Sequence, residues 1–382
     1  MKRFKIVLIT IESCNLRCKY CYEVHKSKNI MSFETAKSVI DSELSRIDKD
    51  IPIDIEFIGG EPFLPKSFEL IKEVVRYIDA TYPERHIMFV ATTNGTCVHG
   101  DVQDFLMDNA KRFIVSLSLD GSKISNDINR PTCNGLSSYD MIDIPFFQKL
   151  PNKVTAKMTV SPDTLPTMAE DIEFIENLGF ICNATFATGI EWSETYNIDV
   201  LVSQLNKLVE KYSVFHTLPL PKIIQVELTR IFDRPKASFK YCGAGKNSKA
   251  FDCKGNCYPC QGFAPVTLGE KAEEFINCTF EDFRINEDDP CFNCKLRGSI
   301  CSTCFSENYG VTGDIHKQPP QFCIINRLTA LASAQIQFNR LLKKTESTEL
   351  SFNDQQTLKA IELIQKACTD ENFKFLWDIQ KR

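Results

Sequence analysis

At 382 residues, 43% hydrophobic and 25% charged, the chain has ordinary globular composition and length for one large domain plus a smaller one. A net charge of −5 gives no general basic field for phosphates, which disfavours a nucleic-acid substrate and points to peptides or small molecules. No apolar run is long enough to span a membrane or follows a basic start as in a signal peptide, and seventeen cysteines, an odd total, fit a cytoplasmic protein whose thiols bind metal rather than pair.

Six apolar β-like runs alternate with helical patterns over the first 215 residues: Ile6 to Thr10, Ile53 to Ile58, Ile87 to Thr92, Phe113 to Leu119, Val154 to Val160 and Phe180 to Phe186. The order predicts an α/β fold, a partial (β/α)6 TIM-like barrel with parallel strands inside and helices outside. Directly after the first run stand Cys14, Cys18 and Cys21 at CxxxCxxC spacing. Three such thiolates can hold three corners of a four-iron cluster and leave one iron open, on the loop where α/β barrels build active sites. A zinc site would pair CxxC with a second CxxC or with histidines, and none lies nearby.

Ser32 is a candidate N-cap for a helix whose apolar face uses Ala36, Val39, Ile40, Leu44 and Ile47. Gly59-Gly60-Glu61-Pro62 follows the second run, with glycines that permit close backbone approach and a carboxylate suited to an ammonium group. The next helix carries Leu70, Ile71, Val74, Val75 and Ile78. The third run ends in Thr92-Thr93-Asn94-Gly95, either a turn or a set of ribose-binding groups. In the fourth, alternation sends Ser116, Ser118 and Asp120 to one side. Later helical stripes carry Met168, Ile172, Ile175 and Leu178, then Leu201, Leu205 and Leu208. Residues 216–241 read as a linker; 242–323 are short segments with ten cysteines, expected to need metal to fold; 324–382 return to helical periodicity through Leu328, Leu331, Ala332, Ile336, Leu358, Ile361, Ile364 and Cys368. That tail reads first as core packing and second as a docking face for a peptide or partner.

The CxxxCxxC run with Tyr20 before its third cysteine resembles the signature of the radical S-adenosylmethionine (SAM) enzymes. The resemblance implies a [4Fe-4S] cluster on Cys14, Cys18 and Cys21 that reductively cleaves SAM to a 5′-deoxyadenosyl radical. It also implies SAM contacts at Tyr20, Gly60, Glu61, Thr92, Asn94, Ser118, Asp120 and Arg130, with Glu61 toward the amino group and Ser118 and Arg130 toward the carboxylate. Tyr20 and Tyr22 would pack on adenine or shield the cluster. Without the family, Arg130 reads as a surface ion pair.

Cys242, Cys260, Cys291, Cys294, Cys301, Cys304 and Cys323 resemble the SPASM extension of that family, with six and then two residues between cysteines where five and three are usual. The resemblance implies two auxiliary [4Fe-4S] clusters, the first on Cys242, Cys260 and Cys304 and the second on Cys291, Cys294, Cys301 and Cys323. Cys253, Cys257 or a substrate thiolate would complete the first; taken alone, Cys291 to Cys304 also suit zinc. Cys97, Cys133, Cys182, Cys278 and Cys368 are expected as buried thiols.

The family mainly modifies peptides and protein side chains. Its anaerobic sulfatase maturases carry an aspartate after the Tyr-Pro-Cys step as general base, whereas Tyr258-Pro259-Cys260 is followed here by Gln261, which cannot take a proton usefully. The expectation is therefore a maturase forming thioether or carbon-carbon cross-links in a ribosomally made precursor peptide. Formylglycine formation in a sulfatase is the alternative, and a non-catalytic iron-sulfur or zinc scaffold the alternative of another class. A flavodoxin or ferredoxin would supply electrons. Since the first strand starts within ten residues, leader recognition is expected from the C-terminal helices, a separate protein or the barrel mouth.

Overall fold

The computed structural model describes residues 3–190, 192, 198–214, 219–233, 243–279, 291–297, 300–301, 304–345 and 349–369. Its elements are β1 (Phe4–Ile11), α1 (Phe33–Arg46), β2 (Ile53–Gly59), α2 (Pro65–Thr81), β3 (Ile87–Thr93), α3 (Asp101–Asp108), β4 (Phe113–Ser118), α4 (Lys123–Asn129), α5 (Ile144–Lys149), β5 (Thr155–Val160), α6 (Met168–Asn177), β6 (Ile181–Phe186), α7 (Ile198–Val214), β7 (Ser248–Phe251), β8 (Cys257–Tyr258), α8 (Pro265–Leu268), α9 (Phe305–Thr312), α10 (Pro320–Thr345) and α11 (Phe352–Cys368). Every expected strand is present within two residues of its apolar run. The α/β reading holds.

The sheet runs β6-β5-β4-β3-β2-β1-β7-β8, and β1 through β5 pair in parallel with their neighbours. β1 is buried on both faces from Ile6 onward, as a central parallel strand must be, while β2 and β3 alternate buried and half-buried residues. Ser32 caps α1 by accepting a bond from Thr35 N at 3.1 Å, and Ala36, Val39, Ile40 and Leu44 are buried behind it. Pro65 opens α2, whose Leu70, Ile71, Val74, Val75 and Ile78 are buried.

Two compact units divide the chain. The first is Met1–Met158, Phe174–Cys182 and Cys242–Asp282. It includes part of the cysteine-rich region, because β7 pairs in parallel with the free edge of β1, from Lys5 opposite Ser248 to Leu8 opposite Phe251. An open edge of unpaired N–H and C=O groups recruits a strand from far along the chain, which periodicity cannot register. The second unit is Thr159–Glu173, Asn183–Tyr241 and Phe283–Arg382. Leu228, Leu331, Ile361, Ile364 and Cys368 share its core, so the tail stripes pack as first expected. α10 starts at Pro320, four residues before the expected tail, because proline suits a first helical turn; Cys323 therefore lies on that turn. Among the described residues no helix is long and apolar enough to cross a membrane.

Candidate functional site

The first unit holds the three-cysteine loop at the C-terminal ends of its parallel strands, and three flanks pin it. From the β2 end, Gly60 N donates to Ile11 O at 2.9 Å and Glu61 N to Ser13 O at 3.1 Å. A Cβ on Gly60 would overlap Ser13 O and come within 2.8 Å of Cys14 N, and one on Gly59 would overlap Ile11 O. These glycines thus serve close approach to the cysteine loop itself, where the sequence suggested approach to a ligand. From the β3 end, Asn94 Nδ2 donates to Asn15 Oδ1 at 2.9 Å and reaches Cys14 Sγ at 3.8 Å, while Asn15 Nδ2 donates to Thr96 Oγ1 at 2.7 Å. From the segment after α4, Leu16 bridges to Thr132, and Lys19 N donates to Asn129 O at 2.9 Å.

Glu61 straps these flanks together. Its Oε1 accepts from Phe63 N at 3.0 Å and Thr93 Oγ1 at 2.7 Å, and its Oε2 from Asn94 N at 2.8 Å. Burial pushes its carboxyl up to about 6 against the pull of those bonds. The carboxylate expected to meet an ammonium group already serves three donors, and two oxygens with about four lone pairs leave room for one more.

Tyr20, Asp120 and Arg130 form a second constellation. Tyr20 Oη donates to Asp120 Oδ2 at 2.5 Å, Arg130 Nη2 donates to Oδ1 at 3.0 Å, and the guanidinium carbon stands 5.3 Å from the Tyr20 ring centre. Asp120 is fully buried and Arg130 nearly so, which corrects the surface ion-pair reading of Arg130. Arg130 Nε is 3.0 Å from Asp120 Oδ2 without an aligned hydrogen bond, so the pair is ionic there. Ser118 ends β4 opposite Lys157 of β5, and Lys157 Nζ donates to Thr92 Oγ1 at 2.9 Å.

Burial pushes the Cys14 thiol up to about 12 and Cys18 to about 11. Such thiols stay protonated at neutral pH unless a cation draws the proton off, which is what iron does. Donors stand ready for the resulting charge: Leu16 N lies 3.4 Å from Cys14 Sγ and Lys26 Nζ 2.8 Å from Cys21 Sγ. Among the described residues no three His, Cys, Asp or Glu side chains converge to hold a single ion, whereas a cubane cluster takes each thiolate on a separate iron.

The auxiliary cysteines divide between the units. Cys242 lies outside the described residues, Cys260 follows β8 in the first unit, and Cys304 precedes α9 in the second. Cys253 is buried with its Sγ donating to Ile9 O at 3.2 Å, and Cys257 sits on β8 opposite Phe251. In the second unit Cys291, Cys294, Cys301 and Cys323 line one pocket of about 390 Å³. Burial, then its cysteine neighbours, push the Cys301 thiol up to about 12. Of the other cysteines, Cys182 and Cys368 are buried as expected, Cys97 and Cys278 half-buried, and Cys133 exposed beside the turn at Gly135.

Sequence reasoning missed Asn15, Lys26, Thr96 and Lys157. Only Lys157 left a signal, as the one charge inside the Val154 to Val160 run.

A family profile described as "4Fe-4S single cluster domain" matches residues 4–132. An uncharacterized protein of Methanocaldococcus jannaschii is 28% identical over 244 residues, 63% of this chain and 79% of that one. The cysteine-type anaerobic sulfatase-maturating enzyme of Clostridium perfringens is 31% identical over 137 residues, 34% of this chain but only 36% of its own length. The radical SAM cyclopropyl synthase TigE of Paramaledivibacter caminithermalis is 22% identical over 80% of this chain and 69% of its own. Among solved structures, native anSMEcpe with bound AdoMet and Cp18Cys peptide superposes with a TM-score of 0.65 at 19% identity, covering 90% and 99% of the two chains. Streptococcus suis SuiB bound to precursor peptide SuiA gives 0.55 at 13%, covering 82% and 74%. These two likenesses concern the fold.

Proposed function

We propose that the chain is a radical SAM enzyme, a reading supported by its likeness to an anaerobic sulfatase-maturating enzyme and to a radical SAM cyclopropyl synthase, and that it takes a hydrogen atom from a side chain of a ribosomally made precursor peptide and forms a thioether or carbon-carbon cross-link. The observation that carries this reading is the three-cysteine loop, pinned in the same unit that holds the buried Tyr20-Asp120-Arg130 set. When bound, SAM and a reduced cluster supply the 5′-deoxyadenosyl radical.

The chain's own residues do the rest. Cys14, Cys18 and Cys21 hold three irons and leave the fourth for SAM. Glu61 would accept from the SAM ammonium with its one remaining lone pair, and Arg130 and Ser118 would take the carboxylate. Thr92 and Asn94, at the end of β3, would bind the ribose; Tyr20, fixed through Asp120, would shield the cluster or pack on adenine. Cys291, Cys294, Cys301 and Cys323 hold one auxiliary cluster, and Cys242, Cys260 and Cys304 the other. With Cys253 turned to Ile9 O, Cys257 or a substrate thiolate would complete that cluster. A flavodoxin or ferredoxin delivers the electron.

A peptide substrate is supported by relatives solved with peptides bound. Gln261, in place of a carboxylate, supports cross-linking. Formylglycine formation is the second reading, favoured by the clostridial match. Anaerobically reconstituted protein given dithionite and SAM should release 5′-deoxyadenosine and hold about twelve irons, three clusters of about four. The Cys14→Ala/Cys18→Ala/Cys21→Ala variant should release none. Fully loaded, reduced wild type without cleavage would leave only an iron-sulfur scaffold. A formylglycine product from a sulfatase peptide would select the second reading.

A further inference from the structure

Arg297 shares the pocket of Cys291, Cys294, Cys301, Cys323 and Asn326. It is 9% exposed, its guanidinium carbon lies 5.2 Å from the Phe292 ring centre, and its Nε and Nη1 have no hydrogen-bond partner. A buried guanidinium with idle N–H groups is unfavourable unless an anion meets it. Among the described residues no acidic side chain lines this pocket, and the thiols are the groups there that can supply the anion. Once they bind iron they are thiolates, and four thiolates around a four-iron, four-sulfide core carry net negative charge that grows by one on reduction. Asn326 already points a neutral donor at the same set, its Nδ2 3.2 Å from Cys301 Sγ.

We propose that Arg297 donates N–H···S hydrogen bonds to the cluster held by Cys291, Cys294, Cys301 and Cys323 and raises its reduction potential, an inference that rests on the auxiliary-cluster reading above. Cation and donors stabilise the more negative, reduced form more than the oxidised one. The step is one electron in, with no bond broken and no proton moved, since arginine stays charged throughout. Arg297 is thus a positioning and tuning residue.

The test uses the full chain carrying Cys14→Ala/Cys18→Ala/Cys21→Ala, so that only auxiliary clusters titrate. EPR is followed anaerobically against potential with dithionite as reductant, alongside iron, sulfide and zinc analysis. Arg297→Gln is expected to keep its iron and to lower one midpoint by about 59 mV, a tenfold fall in the ratio of reduced to oxidised cluster, leaving the other unmoved. If Arg297→Gln loses iron, Arg297→Lys decides, expected to fall short of the wild-type midpoint because one ammonium replaces a fork of donors. Unmoved midpoints in whichever variant keeps its iron would overturn the inference alone. Zinc instead of iron in wild type, with Cys301→Ser releasing it, would overturn the auxiliary-cluster reading and this inference with it.

Discussion

Gly60 shows how a residue without a side chain decides a site. Any Cβ there collides with Ser13 O, and that carbonyl belongs to the loop that carries Cys14. Gly60→Ala is expected to push the loop away, so reconstituted protein should lose about four irons and its SAM cleavage. Gly310→Ala, inside α9 at an ordinary helical φ, whose Cβ would meet no atom within 4 Å, is the control and should keep both. At Glu307 the effect is on stability. Burial pushes its carboxyl from 4.5 up to about 7, and its Oε1 has no hydrogen-bond partner. The folded state therefore keeps a proton that the unfolded chain releases above pH 4.5, so stability is full below that value and falls as pH rises through about 7. The loss is on the order of 3 kcal/mol. Glu307→Gln should be more stable than wild type at pH 8 but not at pH 5 in anaerobic urea titrations; equal gains at both would refute the titration account. Residues of this kind differ in legibility. Cys14, Cys18 and Cys21 announce themselves by spacing, whereas Lys26 reaches Cys21 Sγ only because the loop turns back on itself.

Among the elements, α1 was read from its cap and stripe, and both are as expected except that Ile47 ends the helix as its half-buried C-cap. Ser32→Ala removes the acceptor for Thr35 N and should cost about 1 kcal/mol, read as a lower urea midpoint, with Ser32→Gly costing less. β7 was not legible, since a four-residue strand earns its place from the open edge of β1 and not from its own pattern. The start of α10 was misplaced for a related reason. The apolar stripe begins after Cys323, but Pro320 starts the helix and so sets the orientation of that cysteine.

For the molecule as a whole, the two units are expected to depend differently on metal. The β1 to β4 ladder is complete from backbone bonds and apolar burial, while the Cys291 to Cys301 segment contains no helix or strand among its described residues and a pocket walled by thiols. Removing iron anaerobically should therefore raise hydrogen exchange around residues 291–301 and leave β1 to β4 protected. Uniform deprotection would mean that the sheet also relies on a cluster. The sequence by itself determined the strand-helix alternation, the three-cysteine loop and the cysteine-rich region, because hydrophobic period and ligand spacing are local along the chain. Only the tertiary structure decided that Glu61 is a strap, that Arg130 is buried against Asp120, that β7 joins β1, and that Arg297 stands idle beside four thiols. Each of these depends on what residues tens to hundreds of positions apart do to one another's hydrogen bonds, charge and access to water.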